Sequence, residues 1–368
     1  MKIGVPKEIK DHEFRVGMTP AGAKASIDAG HEVLVQSKAG DAIGFHDDMY
    51  QAVGATVVPG PEQVYECAMV IKVKEPQASE FPLMREGQIL FTYLHLAPDP
   101  EQTRQLLERK VIGIAYETVT DARGHLPLLV PMSEVAGRIA IQAGAAGLQM
   151  INGGRGVLLG GVPGVPRGRV VIIGGGVVGT EAAKIALGLG ADVTILDNNL
   201  DRLRQLDDLF GPGLNTRFSE AHALEELVRE ADLVVGAVLL PGHAAPKLVS
   251  RELVERMRKG AVIVDVAIDQ GGCVETSRPT SHSNPMYIEE GVVHYCVTNM
   301  PGACARTATM ALTNATLPYV LQLAAQGEAA LKQNAGLLAG LNVYKGVVTN
   351  RAVAEDLGYE YRSAETVL

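Results

Sequence analysis

Short β-branched apolar runs alternate along this chain with longer stretches whose apolar positions recur at helical spacing. Runs at 3–5, 31–36, 68–73, 89–94 and 111–116 predict strands. Thr19 followed by Pro20 predicts a capped helix that Gly30 ends. Residues 100–110 predict a helix between the last two strands. A second series opens with a buried-type strand at 170–173 and a helix to 189. Strands at 193–196, 233–237, 262–266 and 292–296 continue it. Such alternation predicts parallel sheets with crossover helices. A long helix near 133–149 separates the two series, and another near 306–326 follows the second. Val347 and Val348 read as an edge strand. The expected fold class is α/β, with two doubly wound Rossmann-like domains on parallel sheets. Residues 1–130 and 305–368 would form a discontinuous substrate domain, and 131–304 a nucleotide domain inserted in it. The Gly-rich segment 152–168 reads as a loop.

Composition narrows the picture. A length of 368 residues suits two domains. With 47% hydrophobic and 20% charged residues, wholesale disorder is excluded. The 41 glycines, 6 phenylalanines and absent tryptophan favour an α/β enzyme over an aromatic-rich sandwich. A net charge of −9 opposes nonspecific attraction to nucleic acid or anionic membrane. Cys67, Cys273, Cys296 and Cys304 show no metal-type spacing and read as buried thiols in a reducing compartment. The chain shows no signal-type apolar region and no long unbroken apolar run, so the expected location is the cytoplasm.

The strongest chemical signal follows the strand at 170–173. Gly174, Gly176 and Gly179 fit GxGxxG at the start of a helix. The first glycine allows the tight turn and the second lets backbone approach a pyrophosphate. The third permits close helix–strand packing, and the helix N-terminus supplies N–H donors. Asp197 ends the next strand, where a carboxylate binds an adenosine ribose and repels a 2′-phosphate. That favours NAD over NADP. Arg202 reads either as a contact to the adenosine end or as a solvated residue at a helix start. Ligands of open α/β sheets lie beyond the carboxyl ends of strands. By that rule residues 236–240, Asp269, Asn299 and Met300 are expected to face one cleft. Asp269 reads equally as a turn former before Gly271 and Gly272.

The same rule selects residues in the first series. Residues 70–74 turn from apolar to basic, and strand alternation would put Lys72 and Lys74 on one face. Phe91, Tyr93 and His95 would likewise share a face, with His95 at the strand end. Arg15 lies in the loop after the first strand. An Arg and a Lys suit a substrate carboxylate, and a His suits proton transfer near neutral pH. Singly, Arg15 reads as a surface ion pair with Glu13 or Glu8, and His95 as a core histidine. Together, at three strand ends, they read as a site.

These residues carry a resemblance. Residues 1–8 with Glu13, Arg15, Thr19 and Pro20 resemble the alanine dehydrogenase and nicotinamide nucleotide transhydrogenase family. So do residues 72–76, 91–96, 173–180 through 197, and 264–272, and the resemblance spans nearly the whole chain. It implies the reversible conversion of L-alanine, NAD and water into pyruvate, ammonium and NADH. It implies substrate binding by Arg15 and Lys74, and proton transfer by His95 and Asp269. Around NAD it places Ser133, Gly174, Gly176, Val177, Val178, Gly179, Asp197, Arg202, Ser219, Val238 and Leu239. It adds Val266, Ala267, Ile268, Asp269, Arg278, Val297, Thr298, Asn299 and Met300. It also implies a homohexamer acting on small molecules. Some relatives hold magnesium with a carboxylate and a histidine on the last long helix. Gln322 and Gln326 stand nearby here, so no such metal site is expected. The rival reading within the family is the NAD-binding subunit of a transhydrogenase. A nucleotide-sensing scaffold is the rival outside catalysis, and the intact Arg, Lys, His and Asp set disfavours it.

Overall fold

The computed structural model describes residues 1–238 and 245–368. They divide into two compact units: Met1–Met132 with Ala305–Leu368, and Ser133–Cys304. The first series of strands is β1 (Lys2–Val5), β2 (Glu32–Gln36), β3 (Thr56–Val58), β4 (Met69–Ile71), β5 (Ile89–Thr92) and β6 (Ile112–Ala115). The second is β7 (Arg169–Ile173), β8 (Asp192–Asp197), β9 (Asn215–Phe218), β10 (Leu233–Gly236), β11 (Val262–Asp265), β12 (Met286–Glu289) and β13 (Val292–Tyr295). The chain then supplies β14 (Leu341–Tyr344) and β15 (Val347–Val348).

In the first unit the strands lie in the order β15-β14-β6-β5-β4-β1-β2-β3. In the second the order is β12-β13-β11-β10-β7-β8-β9. Each sheet is parallel through six strands, doubly wound about β1/β4 or β7/β10. The sheets are parallel in the main, and one edge of each is antiparallel: β12 pairs antiparallel with β13, and β14 antiparallel with β6 and β15. The pairs β12/β13 and β14/β15 are each closed by a two-residue hairpin. Glu290 and Gly291 have φ of 51° and 74°, and Lys345 and Gly346 have 46° and 96°. Two successive positive φ values give the hairpin turn whose twist matches paired strands.

Four strands, β3, β9, β12 and β14, lie outside the runs read as strands, and the first three are poorly covered. β9 is largely exposed and reads Asn-Thr-Arg-Phe, β3 is three residues long, and β12 is only half-buried. Where the sheet is covered on both faces, alternation is plain. Val170, Ile172, Val193, Ile195 and Val235 enter one apolar cluster, and Val171, Ile173, Leu196 and Val234 enter another. The long helix Val130–Gly147 packs close against the helix Val177–Gly188, since a Cβ on Gly137 would stand 2.3 Å from the Val178 carbonyl oxygen. The segment after it is built from turns, with a bridge between Val162 and Val165. Cys67, Cys273 and Cys296 are buried free thiols, whereas Cys304 is only partly covered. Among the described residues no helix is long and apolar enough to cross a membrane.

Candidate functional site

The glycine turn between β7 and the helix Val177–Gly188 divides its labour among three residues. Gly174 has φ of 105°, and a Cβ on it would stand 2.8 Å from the Ala237 carbonyl oxygen. A Cβ on Gly179 would stand 1.9 Å from the Gly174 carbonyl oxygen, so the helix lies against the turn as closely as backbone allows. Gly176 differs, because a Cβ there would meet nothing within 4 Å. It is the helix N-cap and has no side chain to accept the first N–H groups. Open space above it, unfilled donors and the positive end of a helix dipole fit a pyrophosphate.

Asp197 closes the turn from the end of β8. Its Oδ2 accepts the Gly175 N–H at 2.7 Å and its Oδ1 accepts the Asn199 N–H at 2.8 Å. The carboxylate is thereby oriented where a ribose of a dinucleotide would lie. Arg202 is tied to the same turn rather than solvated. Its Nε donates to the Gly175 carbonyl at 2.6 Å and its Nη2 to Thr180 Oγ1 at 2.7 Å. Ser219 donates its N–H to the Asp197 carbonyl at 2.9 Å.

Most of the remaining expected nucleotide contacts fall at other strand ends of this unit; Arg278 and Ser133 do not. Val238 follows β10, while Leu239 lies outside the described residues. Val266, Ala267, Ile268 and Asp269 lie on the short 3-10 turn Val266–Gln270 directly after β11, with Asp269 exposed. Val297, Thr298, Asn299 and Met300 follow β13. Ala267, Val297 and Met300 have their side chains in the apolar clusters, so any polar contact from them is made by backbone. Asn299 has φ of 62°, and its carbonyl accepts from His282 Nε2 at 3.1 Å. The Arg278 guanidinium lies 3.9 Å above the Tyr287 ring. Ser133 is half-buried in the helix Val130–Gly147.

In the first unit, Arg15, Lys74 and His95 follow β1, β4 and β5, three adjacent strands. Arg15 is 2% exposed. Its Nε donates to Glu13 Oε1 at 2.7 Å and its Nη2 to Glu13 Oε2 at 2.6 Å. Burial opposes its charge, yet Glu13 holds the guanidinium above its ordinary pKa. Lys74 is half-buried, and its carbonyl accepts from Thr92 Oγ1 at 3.0 Å.

Lys72 is more deeply buried than Lys74. Lys72 is fully buried between Glu8 Oε2 at 3.0 Å and Glu80 Oε1 at 2.9 Å. Burial pulls its ammonium down, but the two carboxylates hold it above the ordinary lysine pKa.

His95 has a left-handed backbone with φ of 47°. Its ring stacks on Tyr93 at 5.8 Å, and the Tyr93 hydroxyl donates to the Leu128 carbonyl at 2.6 Å. Glu117 accepts the N–H groups of Leu94 and His95, and its Oε1 lies 3.7 Å from His95 Nδ1. The sequence reading passed over Glu117. It stands just past β6, so the strand-end rule would have selected it too. Glu13, read from the sequence as a surface partner of Arg15, is buried with it.

Fold and turn together define a two-unit, doubly wound α/β protein whose second unit carries a nucleotide-type glycine turn. Comparison with known proteins then gives the family. Residues 4–136 match Alanine dehydrogenase/PNT, N-terminal domain, and residues 140–351 match Alanine dehydrogenase/PNT, C-terminal domain. Alanine dehydrogenase 2 of Staphylococcus aureus (strain USA300) is 56% identical over 370 residues, covering 100% of both chains. A solved L-alanine dehydrogenase structure aligns with TM-score 0.95 and 54% identity, covering 97% of this chain and 99% of that one. A transhydrogenase from Sinorhizobium meliloti shares the fold, with TM-score 0.82 and 23% identity over 96% of this chain and 100% of that one. The chain belongs to the alanine dehydrogenase/PNT family.

Proposed function

We propose that this chain catalyses the reversible, NAD-dependent oxidative deamination of L-alanine to pyruvate and ammonium. The observation that carries the reading is identity above one half, over the full chain, with an alanine dehydrogenase. The transhydrogenase likeness extends only to the fold. The glycine turn and the Asp197 carboxylate fit the pyrophosphate and ribose of NAD. When bound, NAD supplies the acceptor for the hydride that leaves the alanine Cα.

The chain's own groups do the rest. Arg15 and Lys74 bind the substrate carboxylate and fix its orientation; such positioning contributes up to about 7–11 kcal/mol of a barrier at best. Hydride leaves the neutral-amine form of alanine to give an iminium, and water must add to its carbon. His95 takes a proton from that water and returns it to the departing nitrogen; as the carbinolamine collapses to pyruvate its hydroxyl proton is released, and ammonia takes that proton to leave as ammonium. Asp269 is the second proton-transfer group in this reading. Glu117 holds a carboxylate oxygen 3.7 Å from the His95 ring nitrogen Nδ1. We further propose a cytoplasmic homohexamer, as the family resemblance implies.

Purified chain, L-alanine and NAD are the whole test. NADH should form without a partner protein, and formation should stop when alanine is omitted. A chain that passes hydride only when a second, NADP-binding protein is added would establish the transhydrogenase reading instead.

A further inference from the structure

Lys74 follows the last backbone pairing of the β4 segment with its β5 neighbour, in which Lys72 donates its N–H to the Phe91 carbonyl at 3.2 Å and the Val73 carbonyl accepts the Tyr93 N–H at 3.3 Å. A buried carboxylate takes over. Glu8, in the loop after β1, accepts the Val73 N–H on Oε1 at 2.6 Å and the Lys74 N–H on the same oxygen at 3.3 Å. Its Oε2 meets the Lys72 ammonium at 3.0 Å. Lys72 continues to Glu80 Oε1, which also accepts the Tyr65 hydroxyl at 2.9 Å. Glu80 Oε2 accepts the Gln77 N–H at 2.8 Å. Two buried carboxylates therefore grip the segment at Val73, Lys74 and Gln77, and one buried ammonium joins them.

A core built only for stability would not choose this arrangement. Replacing a buried ion pair by well-packed apolar groups is often neutral or stabilising. A carboxylate offers what a methyl group lacks: two acceptor oxygens, one of which takes adjacent backbone N–H groups while the other is held by a cation. We propose that Glu8 is a positioning residue, which sets the backbone at Lys74 so that the ammonium meets the substrate carboxylate. This inference rests on the assignment of Lys74 to that carboxylate.

Glu8→Gln tests it. The amide keeps the size but not both functions. With its oxygen toward Val73 and Lys74, its NH2 faces the Lys72 ammonium; reversed, its NH2 faces the two N–H groups. Pyruvate affinity of the NADH-loaded enzyme is read by titrating NADH fluorescence without ammonium, so slow variants remain measurable. Glu8→Gln should weaken pyruvate binding by about five- to tenfold and leave NADH affinity within about twofold. Lys74→Ala should weaken pyruvate binding further. The double variant should match Lys74→Ala alone within about twofold, because Glu8 then has no ammonium to place. An unchanged pyruvate affinity in Glu8→Gln, or multiplying effects in the double variant, overturns the inference while Lys74 stands. Unchanged pyruvate affinity in Lys74→Ala overturns the assignment of Lys74 itself. If Glu8→Gln does not fold, Glu8→Asp keeps the charge for Lys72 but draws the oxygen away from the N–H pair, and the same cycle and outcomes apply.

Discussion

His95 pairs a left-handed backbone, which costs a non-glycine residue about 1–3 kcal/mol, with a half-exposed ring. Glu117 offsets part of that cost by accepting the N–H groups of both Leu94 and His95. One carboxylate thus holds the histidine's backbone and faces its ring. His95→Gln should fold, bind NADH normally and lose at least about 100-fold in turnover. Retained turnover would leave Asp269 as the proton-transfer group. Glu117→Gln should lower kcat by about fivefold, measured beside an unchanged NADH affinity, since it removes the charge 3.7 Å from the His95 ring and a partly exposed charge pair contributes up to about 1 kcal/mol. Asp197→Ala should narrow the preference for NAD over NADP, read as the ratio of kcat/KM for the two. At this scale the sequence showed which side chains stand at strand ends, because strand ends follow from the apolar runs. It named Glu13 as a partner of Arg15 but not the burial of the pair. Glu13 and Glu8 read as surface groups and Glu80 drew no reading, yet all three are buried, because the cations they meet come from other strands or from the turn of the loop itself.

Elements with both faces covered were plain in the sequence, and those with one face in water were not. β7, β8, β10 and β11 carry apolar side chains on both sides and announce themselves. β9 has little apolar surface to bury and takes its place by pairing with β8. The two hairpins turn on Glu-Gly and Lys-Gly, outside the Asn-Gly and Asp-Gly pairs that signal such turns most strongly. The glycine turn makes a contrast that separates folding from binding. Gly179→Ala puts a methyl 1.9 Å from a backbone oxygen, so thermal unfolding should shift down by several degrees. Gly176→Ala meets no protein atom, so its melting temperature should stay within about two degrees. The same methyl occupies the space left for the pyrophosphate, and NADH affinity should fall by about tenfold or more. Calorimetry and NADH titration on the two variants check both halves.

On the scale of the whole molecule, the second unit exposes large apolar side chains close together in sequence: Met150 at 78%, Ile151 at 89%, and Leu158, Val162 and Val165. Where exposed apolar side chains form one contiguous patch, they mark a site of association. In the proposed hexamer a second copy of this chain would cover them. Ile151→Asp should therefore yield smaller particles by light scattering, while Gln326→Asp, on an exposed helix end, should not. The order in which the chain is written has its own consequence. β6 leaves the ribosome long before β14, its antiparallel neighbour, because residues 133–304 come between them. Until β14 arrives, the nascent first unit has an open strand edge, while the second unit already holds all its own strands. The later segment thus completes its sheet before the earlier one, and the growing chain must keep an unfinished edge from pairing with its neighbours on the same message. A fragment of residues 1–132 should aggregate on expression, whereas residues 133–304 should stay in solution and unfold cooperatively.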